Sequence, residues 1–541
     1  MHSGGDLLVE SLVKRGVKYI FTLSGLQTQA IYDSCIDHGI TLIDTRHEQT
    51  AVFMADAWAR ATGNPGVALL SAGPGMTNGI TPIANAHAAS SPCVVIAGRS
   101  STSEAGKGAF QELDQISLVA PITRCAATVQ HTSDISVCLD KAFDEAAGAN
   151  PGPVFIDIPT DVLTGNTATN NPAPAHDANA GSDADVNQIE RAFDLIANAK
   201  RPIILAGTGV HWANVQNSLR SFVETMQIPV IVAGMAKGVV PDDHPLCLGP
   251  VHEPLSNADV ILILGADLDY SLSYGQPPLF NKNASLIQID SRPGQIGKNK
   301  PVQVGICASI SDVIAKLDDL AKDTTLVDRT DWIGKCAGYK NALKDRIASR
   351  QDTDPIHSLR LCQEINDFLD RDATVVVDGG DTSVFGKAAI NTYLPGHWLD
   401  VGPLWCIGVG VPFGLAAKLA RPEKQTLILS GDGSFGYGVF EYNTAIRHDI
   451  PIVSVVNNDG AWGMIRHDQV DKYGSGRVTG TELGVTPYHK IVEAMGGLGL
   501  YVDQADQIRP ALVRAFASGV PACINVRVDP NSSSAGLLAK P

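Results

Sequence analysis

Two short polar turns in the last third of the chain could together hold a metal ion and a diphosphate. They read Gly431-Asp432-Gly433-Ser434 and Asn457-Asn458-Asp459-Gly460. Glycines let backbone amides approach a diphosphate, and the helix predicted after the first turn offers its positive N-terminus. Asp432 supplies a carboxylate, Asn458 an amide oxygen and Gly460 a backbone carbonyl. Hard oxygen ligands of this kind suit Mg²⁺ or Ca²⁺.

The arrangement of the two turns favours a shared site over two unrelated turns. Asp-Gly and Asn-Asp-Gly are common turn sequences, and either one alone is best explained as a turn. Here each turn follows an apolar run typical of a β-strand, and a helical pattern over Tyr437–His448 separates them. The carboxyl ends of neighbouring parallel strands lie at one edge of a sheet, where α/β proteins bind ligands. We therefore predict one site at this edge.

A third candidate is Glu48, in the segment Thr45-Arg46-His47-Glu48-Gln49 near the start of the chain. The segment lies between a predicted strand, Leu42–Asp44, and a predicted helix, Thr50–Arg60. A carboxylate at this position needs no chemical role, because it complements the dipole of the helix. In a largely dry site, the same carboxylate could share a proton with a ligand.

The elements that position these residues are those of parallel α/β sheets, because short β-rich apolar runs alternate with helical patterns along the chain. The predicted strands are Tyr19–Leu23, Leu42–Asp44, Val67–Ser71, Val94–Ala97, Val154–Ile158, Pro202–Ala206, Pro229–Ala233, Val260–Leu264, Leu286–Asp290, Ala373–Val377, Gln425–Ser430, Ile452–Val456 and Ala522–Val526. Residues 165–185 predict a polar linker, and a helical, polar connection covers roughly 323–355. We predict three doubly wound α/β domains, at 1–165, 186–322 and 356–541.

Composition excludes several classes of protein. The net charge of −16 over 541 residues argues against general binding to nucleic acid and against attraction to anionic membranes. No apolar run is long enough to span a membrane, and no secretory signal is recognisable at the N-terminus. The ten cysteines are scattered singly, so disulfides and zinc sites are not expected. A cytoplasmic protein is predicted.

The G-D-G…N-N pair and the R-H-E segment together resemble the motifs of the thiamine-diphosphate enzymes. The resemblance implies that Glu48 hydrogen-bonds the ring nitrogen of the aminopyrimidine and so promotes removal of the thiazolium C2 proton. It implies that Ile407 bends the cofactor and that the carbonyl of Trp405 accepts from its amino group, although the family usually has a small residue at 405. The residues thus assigned to cofactor binding are Glu48, Gly73, Gly380, Asp381, Thr382, Trp405, Ile407, Gly431, Gly433, Ser434 and Asn458, and those assigned to the metal are Asp432, Asn458 and Gly460.

Over residues 4–528 the chain is most similar to the acetolactate-synthase-like group, in particular to benzaldehyde lyase and the 2-hydroxyacyl-CoA lyases. By this resemblance Gln111, in the segment Gly108–Gln115, reaches the reacting centre. Gln27 stands where benzaldehyde lyase has a histidine. It could position water or substrate, but an amide is a poor acid or base. In this family Glu48 and Asp432 meet across a subunit interface, so the resemblance implies at least a homodimer, with a homotetramer favoured.

Three functions remain open at this point. The first is a lyase or carboligase acting on acyloins or 2-hydroxyacyl compounds, and the second is an acetolactate-synthase-like transferase using a 2-oxo acid such as pyruvate. Both take a small-molecule carbonyl substrate, and the third function is a non-catalytic relative. FAD or ADP in the central domain is disfavoured, because Trp212 occupies the third glycine position of a dinucleotide fingerprint and Leu264–Asp269 lacks an arginine.

Overall fold

The computed structural model describes residues 2–168, 184–350 and 354–537, so most of the predicted linker lies outside the described residues. Within these ranges, three six-stranded sheets are each formed entirely by parallel strands and flanked by helices. A separate antiparallel pair joins the two ends of the first domain. The predicted fold class, three doubly wound α/β domains, is confirmed.

The first domain places Glu48 at the start of a helix that follows an edge strand. Its sheet order is β3-β2-β4-β5-β7-β6. In chain order its elements are β1 (His2–Ser3), α1 (Gly4–Lys14), β2 (Tyr19–Thr22), α2 (Gln29–His38), β3 (Thr41–Asp44), α3 (Glu48–Thr62), β4 (Gly66–Leu70), α4 (Pro74–Asn78), α5 (Ile80–Ala88), β5 (Cys93–Arg99), α6 (Gln115–Val119), β6 (Cys125–Thr128), α7 (Ile135–Ala147), β7 (Val154–Pro159), α8 (Thr160–Thr164) and β8 (Asn166–Thr167).

The central domain has the sheet order β11-β10-β9-β12-β13-β14, and a long helix leads from it to the last domain. Its elements are α9 (Val186–Asn198), β9 (Pro202–Ala206), α10 (Thr208–Trp212), α11 (Gln216–Met226), β10 (Val230–Val232), β11 (Cys247–Gly249), β12 (Val260–Leu264), β13 (Ser285–Asp290), β14 (Val304–Cys307) and α12 (Ile310–Ala321), followed by the connecting helix α13 (Thr330–Ala348).

The last domain has the sheet order β16-β15-β17-β18-β20-β19, which places the strands before both polar turns side by side. Its elements are α14 (Ser358–Phe368), β15 (Thr374–Asp378), α15 (Asp381–Ala389), β16 (Trp398–Leu399), α16 (Gly410–Ala420), β17 (Thr426–Gly431), α17 (Asp432–Gly438), α18 (Tyr442–Arg447), β18 (Val453–Asn458), α19 (Gly463–Tyr473), α20 (Tyr488–Ala494), β19 (Leu498–Val502), α21 (Ile508–Ala517) and β20 (Ala522–Arg527). The helix predicted over Tyr437–His448 is wrong in its start, because α17 begins at Asp432 and a 3₁₀ turn at Val439–Glu441 separates it from α18.

The first and last domains share one apolar core. Helices α3 and α16 pack against each other, with the rings of Phe53 and Phe413 in edge contact. Fully buried Arg60 is paired with Asp56 and donates from Nη1 to the carbonyl of Asp400 at 3.0 Å. Because the pair and this hydrogen bond satisfy the buried charge, the contact fixes how the two domains sit in one chain.

Two expectations from composition concern disulfide bonds and membrane-spanning helices. All ten cysteines are free thiols, as predicted. In the part of the chain that the structure describes, no helix combines the length and apolar character that a bilayer crossing requires.

Candidate active site

The ends of three adjacent strands, β15, β17 and β18, bring the predicted turns of the last domain together. Ser430 pairs with Asp378 on one side, and Gly431 with Asn457 on the other. A Cβ added to Gly431 would lie 3.2 Å from Thr382 Oγ1, and one added to Gly379 would lie 3.2 Å from Ser434 Oγ. The structure therefore brings Gly380–Thr382, Gly431–Ser434 and Asn457–Gly460 to one edge of the sheet.

Asp432 is a buried carboxylate at the first position of α17. Its Oδ1 accepts from the backbone N–H of Gly433 at 2.8 Å, and its Oδ2 accepts from the N–H of Gly460 at 3.0 Å. Burial raises the pKa of Asp432, and the neighbouring carboxylate of Asp459 raises it further. Two desolvated carboxylates side by side are stabilised by a bound cation, which restores the charged form of both.

Asn458 is the second predicted metal ligand and lies 1% exposed at the end of β18. Its Nδ2 donates to the carbonyl of Thr486 at 3.1 Å and to Asn525 Oδ1 at 2.9 Å, and these two acceptors fix the orientation of the amide. Its Oδ1 has no hydrogen-bond partner. A buried, unpaired amide oxygen costs free energy, and a divalent cation is a ligand that satisfies it.

Gly460 is placed beside Asp432, but its carbonyl is already engaged. The oxygen accepts from the N–H groups of Leu483 at 2.8 Å and Gly484 at 3.0 Å. Gly460 supports the site through its own N–H, which Asp432 accepts. The carbonyl as third metal ligand stays a prediction.

Two glycines along this edge let neighbouring side chains pack closely against the backbone. A Cβ on Gly433 would lie 2.5 Å from the ring of Trp462, and one on Gly380 would lie 3.0 Å from Met464 Cβ. Asp381, predicted at the diphosphate, uses its carboxylate elsewhere: Oδ2 lies 2.9 Å from His467 Nδ1 and Oδ1 accepts from Ser534. What α15 offers to a diphosphate is therefore the N–H groups of its first turn rather than this side chain.

The loop that carries Trp405 and Ile407 is held by a buried carboxylate that sequence reasoning missed. Asp378, at the end of β15, accepts from the N–H groups of Gly408 at 3.1 Å and Gly410 at 2.8 Å. Trp405 has φ +53°, a left-handed conformation that side chains other than glycine rarely adopt. Its side chain is 40% exposed, and Ile407 is partly buried. The only sequence signal for Asp378 was an acidic residue at a strand end before two glycines.

In the first domain, Glu48 begins α3 and is 9% exposed. Asn78 Nδ2 donates to Glu48 Oε2 at 2.9 Å. A Cβ on Gly75 would lie 3.3 Å from Glu48 Oε1 and 2.3 Å from Ser71 Oγ, so a side chain there would displace the Ser71 hydroxyl and crowd the carboxylate. Asn78 thus orients one carboxylate oxygen and leaves the other for a ligand.

Gln27 and Gln111 meet near Glu48's segment of the first domain. Gln27 Nε2 donates to Gln111 Oε1 at 2.9 Å, while the buried Gln27 Oε1 has no partner. Gln111 has φ +61°, and a Cβ on Gly73 would lie 2.8 Å from its carbonyl oxygen. The positive φ of Gln111 and the absence of a side chain at Gly73 hold the two amides together as a neutral, polar pair.

These two clusters are not connected within one chain. Over residues 2–168 and 354–537, no hydrogen bond or ion pair joins the Glu48 and Gln27–Gln111 cluster to the Asp432–Asn458 cluster. The contacts between the two domains lie elsewhere: Arg46 N donates to Glu441, and Arg447 pairs with Asp44 at 2.6 Å.

In the central domain, glycines shortly before Trp212 let two backbone segments pack closely. A Cβ on Gly209 would lie 2.8 Å from the Cα of Gly265. Trp212 Nε1 donates to the carbonyl of Ala89 in the first domain at 3.1 Å. At the strand ends, Arg292 bridges Asp267 and Asp290, with Nη2 2.9 Å from Asp290 Oδ2.

Comparison with known proteins gives matches to one family along the chain. Residues 2–118 match the thiamine pyrophosphate enzyme N-terminal TPP binding domain, 189–317 the central domain, and 378–526 the C-terminal TPP binding domain. The chain is 40% identical over 535 residues to the acetolactate synthase large subunit IlvG of Mycobacterium tuberculosis, covering 98% of this chain and 96% of that protein.

Two further relatives carry a different name. The chain is 31% identical over 582 residues to human 2-hydroxyacyl-CoA lyase 2, covering 99% of this chain and 92% of that protein. It is 29% identical over 547 residues to 2-hydroxyacyl-CoA lyase of Arabidopsis thaliana, covering 97% and 96%. The matches run along all three domains and include both clusters of candidate residues, and the chain belongs to the thiamine pyrophosphate enzyme family.

Proposed function

We propose that this enzyme breaks or forms a carbon–carbon bond next to a carbonyl. It uses thiamine diphosphate that is held through a divalent cation, and we expect this cation to be Mg²⁺. The observation that carries the proposal is the pair formed by Asp432 and Asn458. One is a buried carboxylate whose pKa is raised by burial and by Asp459, and the other presents a buried amide oxygen without a partner. Both features are relieved by the same hard cation.

Each group of candidate residues has its own proposed role in binding or catalysis. Asp432 and Asn458 hold the cation, and the N–H groups at the starts of α15 and α17 receive the diphosphate. Glu48, oriented by Asn78, exchanges a proton with the aminopyrimidine. Gln27 and Gln111 donate to or accept from the substrate oxygen, without acting as acids. When bound, thiamine diphosphate would supply the electron sink for the bonding electrons that stay on the substrate's carbonyl carbon when the neighbouring carbon–carbon bond breaks, and that form the new bond in the reverse direction.

We infer that a second copy of the chain completes the site. Exposed apolar side chains stand beside both clusters: Leu26 and Phe110 in the first domain are 66% and 67% exposed, and Phe440 in the last domain is 67% exposed. Large apolar side chains near a half-site are expected to be covered by a partner. A homodimer, with the first domain of one copy against the last domain of the other, covers them and joins the clusters.

Two reactions are candidates. Cleavage or ligation of acyloins or 2-hydroxyacyl compounds is supported by relatives named 2-hydroxyacyl-CoA lyase and by the neutral Gln27–Gln111 pair. Transfer from a 2-oxo acid such as pyruvate is supported by the 40% identity to relatives named acetolactate synthase. Release of carbon dioxide from pyruvate selects the second reaction, and release of an aldehyde from an acyloin without carbon dioxide selects the first.

The cofactor site is tested by adding thiamine diphosphate and Mg²⁺ to dialysed protein and measuring whether uptake is saturable. The signal is the quenching of tryptophan fluorescence. Trp462, whose ring lies against Gly433, reports on binding. We expect Asp432→Asn to weaken Mg²⁺-dependent uptake beyond the roughly 10- to 100-fold that loss of an outer metal partner costs. Asp503→Asn, at an exposed carboxylate of the same domain, is the matched control. Equal uptake by Asp432→Asn and wild type would contradict the proposal.

A further inference from the structure

A cleft of about 1240 Å³ between the domains contains a cluster that the proposed mechanism leaves unused. Helix α15, which begins at the predicted diphosphate-binding turn, presents Ser383 and Lys387 one turn apart to this cleft. His252 of the central domain lines the same cleft. Since the same helix carries Asp381 and Thr382 at its start, the cluster adjoins the proposed cofactor site.

Lys387 is a partly buried cation without an ion-pair partner within 4 Å among the described residues. Burial lowers the pKa of its ammonium, while Asp400 and Asp269 act from a distance in the opposite direction. Both carboxylates are engaged elsewhere: Asp400 accepts from Gly402 N at 3.0 Å, and Asp269 from Ser271 N at 2.9 Å. Lys237, by contrast, has an ion-pair partner, because its Nζ lies 2.5 Å from Asp242 Oδ2.

Two uncharged groups of the cluster are also unsatisfied. Ser383 is 6% exposed and its Oγ has no hydrogen-bond partner. The Nε2 of His252 is buried without a partner. Burial, and then the charge of Lys387, lower the pKa of His252 to about 4, so the ring is neutral at pH 7 and can donate from Nε2. Three donors of this kind suit one oxyanion.

We propose that Lys387, Ser383 and His252 form a subsite for the anionic group of the substrate, a carboxylate or a phosphate. The assignment rests on the proposed function and deepens it, because it states that the substrate entering the cleft carries an anionic group. Leaving a cation and two polar atoms unsatisfied is costly in a protein without ligand, and one anion pairs the cation and bonds both atoms.

The two sources of the anion are separated by the choice of probe. Oxamate carries the carboxylate of a 2-oxo acid without its reactive ketone, oxamide is its uncharged counterpart, and coenzyme A carries phosphates. Binding of each is measured by calorimetry on the enzyme loaded with thiamine diphosphate and Mg²⁺. We expect one of the two anions to bind. If the carboxylate is the ligand, oxamide should bind at least about tenfold more weakly than oxamate. The Lys387→Met variant should bind the anion at least about tenfold more weakly than wild type. Lys387→Arg should stay within about threefold of wild type.

A purely structural role for Lys387 gives a different result. If distant Asp269 and Asp400 hold it as part of the fold, Lys387→Met lowers the temperature of thermal unfolding. If it is an unpaired cation waiting for a ligand, the substitution raises that temperature without ligand and abolishes the increase that the bound anion gives. Lowered thermal stability, or wild-type anion affinity in Lys387→Met, overturns the proposal, as does a wild-type enzyme that binds neither anion.

The subsite can fail independently of the proposed function. Uptake of thiamine diphosphate is measured on the same samples, and Lys387→Met should leave it within about twofold of wild type, since Lys387 is not assigned to the cofactor. Anion binding is also measured on cofactor-free protein. Lost cofactor uptake in the wild type therefore counts against the proposed function, whereas intact uptake with no effect of Lys387→Met counts against the subsite alone.

Discussion

At the scale of single residues, sequence patterns predicted groups that could bind a cofactor, and the structure shows which contacts each of these groups makes. Asp432 and Asn458 were predictable because two motifs at a fixed distance imply neighbouring strand ends. Lys387, Ser383 and His252 were not, since an isolated lysine, serine or histidine is unremarkable in a sequence and only the fold shows that each lacks a partner. The prediction for Asp381 needs refinement, as its carboxylate bonds His467 and Ser534.

Glu48→Gln is the substitution that tests proton exchange apart from binding. Glutamine keeps the shape of the side chain and can still accept from Asn78, so uptake of thiamine diphosphate should change little. The amide cannot exchange a proton, and we expect turnover and hydrogen–deuterium exchange at the cofactor's C2 to fall by about 10²- to 10⁴-fold. Glu104→Gln, at an exposed position of the same domain, is the control. Undiminished exchange in Glu48→Gln would remove Glu48 from the mechanism.

At the scale of elements, burial explains which strands a sequence predicts. Every predicted strand is present, within about two residues of its predicted ends. The missed strands are the edge strands β6, β11, β14, β16 and β19 of the three large sheets and the two-residue strands β1 and β8, which pair only with each other. Edge strands are short and need not be apolar on both faces, so their sequences lack the continuous apolar run of a central parallel strand. Turns were predictable only where the sequence has a glycine. The left-handed backbone conformation at Trp405 was not predictable, because the residue there is not a glycine.

Asp378→Asn tests whether the buried carboxylate at the end of β15, which accepts hydrogen bonds from the Trp405 loop, titrates near pH 6. Burial raises the pKa of Asp378 to about 6, although its backbone donors oppose the shift. Because the unfolded value is near 3.8, the folded protein takes up a proton between pH 6 and pH 4 that the unfolded chain does not. This group therefore favours folding more as the pH falls, and the gain is lost as the pH rises through 6.

The measurement is urea unfolding, followed by tryptophan fluorescence, of wild type and Asp378→Asn at pH 7 and pH 5. Asparagine does not titrate, so the stability of wild type relative to the variant should rise by about 1 kcal/mol between pH 7 and pH 5. Asp503→Asn should show no such change. A difference that is independent of pH, or that shifts towards the variant in acid, would show that Asp378 does not titrate in this range.

At the scale of the whole molecule, no hydrogen bond or ion pair among the described residues joins the Glu48–Asn78 pair to the Asp432–Asn458 pair. Arg60, Glu441 and Arg447 fix the first and last domains together at a surface that does not include the Glu48–Asn78 or Asp432–Asn458 pairs. Exposed Phe110 and Phe440 lie on the segments beside these pairs. The order of the domains in the sequence does not show whether the two clusters meet within one chain or between two chains, because their meeting depends on how the folded domains pack.

Mixing two inactive variants distinguishes these arrangements. If sites form between copies, a dimer of one Glu48→Gln chain and one Asp432→Asn chain has one doubly altered site and one site in which both residues are native. With equal amounts of the two chains and free exchange, half of the dimers are mixed, and we expect about a quarter of wild-type activity. Each variant alone should stay nearly inactive. If every site forms within one chain, each site keeps one substitution and mixing restores no activity, so the recovered rate reports directly on where Glu48 meets Asp432.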